Sequence, residues 1–166
     1  KSSKKALLIG INYQNDDSSG NDLNGCVDDA ERLKTYLTKA CYFNEEDITM
    51  LCTHDSTTKN SIQKELRELV FFSYTYPNSE LWFSFSGHGS GFYSKEEHDD
   101  QSECICPSDY KQNGMIVDYW LKDHFIDRLH PSTKLFILMD CCHSGTNVNL
   151  PYQLINEKET LISNPN

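Results

Sequence analysis

The chain has 166 residues, 37% of them hydrophobic and 24% charged, the size and make-up of one globular domain with a core of its own. Asp and Glu outnumber Lys and Arg by 25 to 15, a net charge of −10, and no basic run exceeds the pair Lys4 and Lys5. Nucleic acid and anionic membrane surfaces are therefore not expected partners, and no apolar stretch is long enough to cross a bilayer or has the shape of a secretory signal.

Residues 5–11 (KALLIGI) predict a buried strand, and residues 12–24, rich in Asn, Asp, Ser and Gly, a loop at its C-terminal end. Val27, Ala30, Leu33, Leu37 and Ala40 recur at helical spacing, which predicts a helix from Cys26 to about Ala40. A second strand is expected over 48–52. A polar turn at 56–61 is able to cap a helix carrying Ile62, Leu66, Leu69 and Val70, which Pro77 and Asn78 punctuate. A third strand occupies 81–85. Residues 89–108 read as a long polar loop with an acidic patch of Glu96, Glu97, Asp99, Asp100 and Glu103. The turn signal Asn113-Gly114 lies between apolar pieces at 104–107 and 115–117, so a small hairpin beside the main sheet is expected. Asp118 is placed to cap a third helix with Leu121, Phe125 and Leu129 inward, closed by Pro131. Residues 135–139 predict a fourth strand, buried on both faces, and the tail after Gly145 has little periodicity. Strands alternating with helices predict an α/β fold: a mostly parallel sheet with helices on both faces.

Two strand ends carry chemistry. LWFSF runs into Ser86, Gly87, His88 and Gly89, and LFILM runs into Asp140, Cys141, Cys142 and His143. Open α/β sheets place their sites at such C-terminal strand ends. A thiol with an ordinary pKa of about 8.5 needs a nearby imidazole to take or balance its proton, so the pair points to a cysteine hydrolase. The residues alone leave Cys141 and Cys142 both open as the nucleophile. The seven cysteines are an odd number without framework spacing and read as reduced thiols of a cytoplasmic protein. Cys104-x-Cys106 and Cys141-Cys142-His143 lack the paired spacings of a zinc site.

IGINY with NGCVDDA (9–13 and 24–30), SGHGS (86–90) and DCCHSG (140–145) together resemble the metacaspases, a family of caspase-like peptidases. ICPSDY, GMIVD and LPY are lesser echoes, and the separation of His88 from Cys142 is near the spacing of about 50 known for caspases. The resemblance is to the large, p20-type catalytic region, placed at 1–150, with 151–166 a tail or linker toward an absent p10-type region. It implies a caspase-like three-layer sandwich, a monomer, and an endopeptidase acting after Arg or Lys on peptide or protein substrates. By the same resemblance His88 is the general base, Cys142 the nucleophile, and the backbone N–H groups of Gly89 and Cys142 the oxyanion hole. Cys26, Asp29, Ser86 and Asp140 would line the pocket for the basic side chain. The residues agree, since Asp29 opens a helix and Asp140 closes a strand, and two converging carboxylates suit a guanidinium. Asp28 competes with Asp29, and the spacing from Cys26 favours Asp29.

The family's calcium positions fall here on Ser102, on Asp118 with Tyr119, and on Asn149, so only Asp118 stays in register, with Asp99, Asp100 and Glu103 close by. Calcium takes six to eight oxygens, mostly carboxylate, so activity without calcium or any other cofactor is expected. The apolar strand at 135–139 would be an unpaired sheet edge unless a p10-type fragment or partner chain covers it. Lys158, in the polar tail, is the candidate self-cleavage point. The alternative is a caspase-like interaction module, a pseudoenzyme that needs a p10-type partner.

Overall fold

A computed structural model of the chain describes residues 3–14, 21–92, 102–141, 152–155 and 160–163, with side chains for 3–14, 21–90 and 104–141. Strand β1 (Lys4–Gly10) leads to helix α1 (Cys26–Lys39), a 3-10 turn (Glu45–Asp47), β2 (Ile48–Leu51), α2 (Lys59–Thr75) and β3 (Glu80–Ser86). Then come β4 (Gly89–Phe92), β5 (Ser102–Ile105), the single turn α3 (Tyr110–Asn113), β6 (Ile116–Val117) and α4 (Asp118–His124). A second 3-10 turn (Ile126–Arg128), β7 (Lys134–Asp140), β8 (Tyr152–Ile155) and β9 (Thr160–Ser163) complete the described elements.

The central sheet has the order β2-β1-β3-β7, and every pairing in it is parallel. Side chains alternate across a strand, so each strand feeds two layers. Leu7, Ile9, Leu81, Phe83 and Phe85 face Ile62, Leu66 and Leu69 of α2 and Leu121 of α4 in the larger core. Ala6 and Leu8 face Ala30 and Leu37 of α1 in the smaller one. Helices thus cover both faces, as the strand–helix alternation predicts. Thr58 caps α2 by accepting from the Ser61 N–H, a contact that contributes on the order of 1 kcal/mol.

Four expectations are corrected. β7 is not buried on both faces: Leu135, Ile137 and Met139 pack on the larger core, while Phe136 and Leu138 are 45% and 49% exposed. The cause is coverage, because the α1 face has its helix over β1 and β3 while β7 is the sheet edge among the described residues. The stretch after His88 is not simply a loop: β4 pairs with β5, so the expected β5–β6 hairpin becomes a three-stranded antiparallel sheet. Asp118 is the first residue of α4 rather than its cap, which is Val117, and its Oδ1 accepts from the Tyr119 N–H at 2.7 Å. That helix stops at His124, and the 3-10 turn takes the chain on toward Pro131. Finally, the tail contains an antiparallel pair, β8 with β9. Among the described residues no helix is long and apolar enough to cross a membrane.

Candidate active site

The parallel register places Gly10, Ser86 and Asp140 side by side on the face that carries α1, at the C-terminal edge of β1, β3 and β7. Helix α1 meets this row with its first turn. A Cβ on Gly10 would lie 2.3 Å from the Cys26 carbonyl oxygen and 2.9 Å from the Val27 Cα, so only glycine admits so close a helix start. Asn12 caps that helix from the end of β1: its Oδ1 accepts from the Cys26 N–H at 3.0 Å and the Val27 N–H at 3.4 Å. Cys26 and Asp29 are thereby held over Ser86 and Asp140.

The four residues form one cluster. The Ser86 hydroxyl donates to Asp29 Oδ2 at 3.4 Å, and it also hydrogen-bonds the Cys26 thiol. Burial pushes the Cys26 thiol upward; the negative charges of Asp29 and Asp140 add to this, while the Ser86 bond offsets part of it. Two carboxylates beside a buried thiol and a hydroxyl make a surface of negative potential suited to a cation. Asp28, by contrast, lies on the exposed side of the helix. The Arg32 guanidinium, largely in solvent, stands 3.7 Å from Asp29 Oδ1, whose carboxylate is half-buried.

His88 sits just beyond β3, in the turn into β4. Its Nε2 lies 2.7 Å from the carbonyl oxygen of Asn21, which can only accept, so Nε2 carries the proton and a neutral ring keeps its lone pair on Nδ1. The imidazole also lies against the Tyr13 ring, with centroids 4.6 Å apart and planes at 39°. The Tyr13 hydroxyl accepts from the His88 N–H at 2.9 Å and donates to the Cys106 carbonyl at 2.7 Å. The Cys106 N–H in turn donates to the His88 carbonyl at 3.0 Å. Because of that bond, Gly89 and Ile105 face each other as a pair without mutual hydrogen bonds, and the Gly89 N–H points away from β5. A cavity of about 600 Å³ opens beside Asn12 and Tyr13, lined also by Val27, Thr53, His54 and Asp109.

The structure therefore brings together Cys26, Asp29, Ser86 and Asp140, with His88 two residues beyond Ser86. Cys141 continues the inward row of β7 and packs on the larger core. Cys142, Asp99, Asp100 and Lys158 lie outside the described residues, as does the side chain of Glu103. Among the described residues no group of three or more His, Cys, Asp or Glu is placed to hold a metal ion. The six described cysteines are free thiols. Sequence reasoning gave no role to Asn12, Tyr13 or the Asn21 carbonyl. None of the three had a sequence signal, since Asn12 caps a helix that starts fourteen residues further on and nothing in the sequence tells which loop carbonyl meets a histidine.

Residues 4–151 match the family described as "Metacaspase, peptidase C14 domain". Metacaspase-1 of Yarrowia lipolytica is 36% identical over 98% of this chain, and Metacaspase-1B of Aspergillus terreus 34% identical over 98%. The chain spans 35% and 43% of the lengths of those relatives. A crystal structure of a Geobacter sulfurreducens protein shares the fold at a TM-score of 0.63 and 24% identity, over 91% of this chain and 56% of that one. The chain belongs to the metacaspase family, and its layered sheet is the caspase-like sandwich of a peptidase C14 domain.

Proposed function

We propose that this chain carries the catalytic centre of a cysteine endopeptidase that cleaves after Arg or Lys and does not require calcium. The observation that carries the reading is the convergence of Asp29 and Asp140 on Cys26 and Ser86, two residues before His88 in the chain. A P1 guanidinium or ammonium entering there meets two carboxylates, and charge-assisted bonds of this kind contribute about 1.5–3 kcal/mol each. Nδ1 of His88 takes the Cys142 thiol proton, and the thiolate attacks the scissile carbonyl carbon. The Gly89 and Cys142 N–H groups hold the oxyanion; the outward aim of the Gly89 N–H supports its part. On collapse the imidazolium gives its proton to the departing amine, leaving a thioester that a water molecule, deprotonated by His88, hydrolyses. Cys142 is favoured over Cys141 because the Cys141 side chain faces the core.

Calcium independence rests on the sequence register, in which Asp118 alone matches, and Asp118 already accepts from its neighbour's N–H. Basic peptides or proteins are the proposed substrates, in the cytoplasm, with Lys158 as a self-cleavage point. We take the protein to be monomeric.

One observation favours a second reading. The exposed Phe136 and Leu138 on β7, the edge of the central sheet among the described residues, suit a module completed by a p10-type partner. Hydrolysis of fluorogenic peptides ending in Arg, Lys, Asp or Asn, with EGTA or with millimolar calcium, separates the two. Release after Arg or Lys that survives EGTA and vanishes in Cys142→Ala is expected. Release only with calcium sinks the metal-free reading, and silence from a folded protein sinks the enzyme reading in favour of the incomplete module.

A further inference from the structure

We propose that Tyr13 is the positioning residue of the His88 imidazole, its hydroxyl tying the histidine backbone to β5 while its ring sets the plane of the imidazole. The inference deepens the peptidase reading and takes from it only the role of His88.

Tyr13 has φ at +55°, in the left-handed region that costs an ordinary side chain on the order of 1 kcal/mol or more. Nothing about a loop requires an aromatic residue there; Asn or Gly would hold the turn more cheaply. What the conformation achieves is to turn the Tyr13 side chain inward, where it is 6% exposed and meets His88. The hydroxyl then satisfies two buried backbone groups at once, the N–H of His88 and the C=O of Cys106. It occupies the space that a Cβ on Gly87 would take, since such a Cβ would lie 2.8 Å from it. Glycine at 87 is thus the room in which the phenol fits. Burial pushes the phenol far above its ordinary value, so the hydroxyl is neutral and keeps both bonds at every assay pH.

His88 is consequently held at four points: N–H to Tyr13, C=O from Cys106, Nε2–H to Asn21, and its face against the Tyr13 ring. Three of the four involve Tyr13 or the strand it anchors. Asn12, the preceding residue, caps the helix that carries Cys26 and Asp29. Two consecutive residues at the end of β1 therefore position the two halves of the site, one the pocket and the other the base. A base misplaced by 1 Å loses roughly 100-fold in rate, whereas a pocket defect is read in binding.

Tyr13→Phe keeps the ring and removes the hydroxyl. On an arginyl peptide it should lower kcat by about 10- to 100-fold and leave KM within about twofold. Long-range nitrogen–proton NMR of the His88 ring should change from one Nε2–H tautomer to a mixture. A purely structural role moves neither reading at a temperature where both proteins are folded. A kcat within about twofold of wild type, or an unchanged single tautomer, overturns the proposal. If Tyr13→Phe does not fold, the wild type decides: a slowly exchanging His88 amide with one Nε2–H tautomer is required, and a rapidly exchanging amide overturns the proposal. A wild type silent on every peptide, with a His88 tautomer still altered by Tyr13→Phe, would end the peptidase reading and leave the positioning role supported.

Discussion

Gly10→Ala tests whether the close start of α1 on β1 builds the basic pocket. The added Cβ would lie 2.3 Å from the Cys26 carbonyl oxygen, 2.8 Å from its carbon and 2.9 Å from the Val27 Cα. All three are backbone atoms, so no side chain can swing away. Ordinary contact begins near 3.4 Å, so the helix start must retreat by about 1 Å, the difference between 3.4 and 2.3 Å. Overpacking of this kind costs typically 1–3 kcal/mol, and a clash confined to backbone belongs at about 3 kcal/mol. At roughly 2–4 °C per kcal/mol for a chain near this size, the melting midpoint should fall by about 6–12 °C. The same retreat carries Asp29 away from Ser86, which it now meets at only 3.4 Å. KM for an arginyl peptide should therefore rise several-fold. Circular dichroism melts, followed by steady-state kinetics well below the lowered midpoint, measure both. A melting point within about 1 °C of wild type, or lost stability with unchanged KM, would refute the claim that this contact sets the pocket.

Two further outcomes follow from the same geometry. Asp29→Asn should lower kcat/KM for arginyl peptides; because the Asp29 side chain is 42% exposed and shared with Arg32, the loss belongs at the low end of charged hydrogen bonds, about tenfold. An unchanged ratio of arginyl to asparaginyl cleavage would exclude Asp29 from the pocket. Stability should also decline with alkali. Cys26 and Cys52 are pushed above the ordinary thiol value, chiefly by burial. Below that value both states are protonated; as pH rises through it the unfolded thiols ionise first, the native state holds more protons, and stability is lost. Urea midpoints at about pH 7.5 and about pH 9.5 should differ less in a Cys26→Ala/Cys52→Ala variant than in wild type, and equal declines would assign the effect elsewhere.

The fold was largely legible because its parallel strands are short apolar runs and its helices carry clear periodicity. Ile62, Leu66 and Leu69, chosen from spacing alone, are 0–1% exposed. Pairing partners were the part that spacing does not encode. The Gly89–Phe92 strand carries two glycines and reads as loop, and only its antiparallel register with Ser102–Ile105 makes it a strand. The exposure of Phe136 and Leu138 was illegible for a related reason: a run such as LFILM has the same letters whether a helix covers one of its faces or not. Of the candidate site, the juxtaposition of Cys26, Asp29, Ser86 and Asp140 was legible through the family resemblance and through the placement of two carboxylates at element ends. The support for His88 was not, since Tyr13 acts across 75 residues of chain and the Asn21 contribution is a backbone carbonyl without a sequence signature.

The central claim is a thiolate at Cys142 served by His88 beside an acidic P1 pocket, and covalent labelling tests it most directly. The protein is treated with an arginyl acyloxymethyl ketone and, in parallel, its aspartyl counterpart, then mapped by peptide mass spectrometry. The account predicts a thioether on Cys142 from the arginyl reagent alone, formed slowly or not at all in His88→Ala and weakly in Asp29→Asn. An adduct on Cys141, equal labelling by the aspartyl reagent, or labelling indifferent to His88→Ala would contradict it.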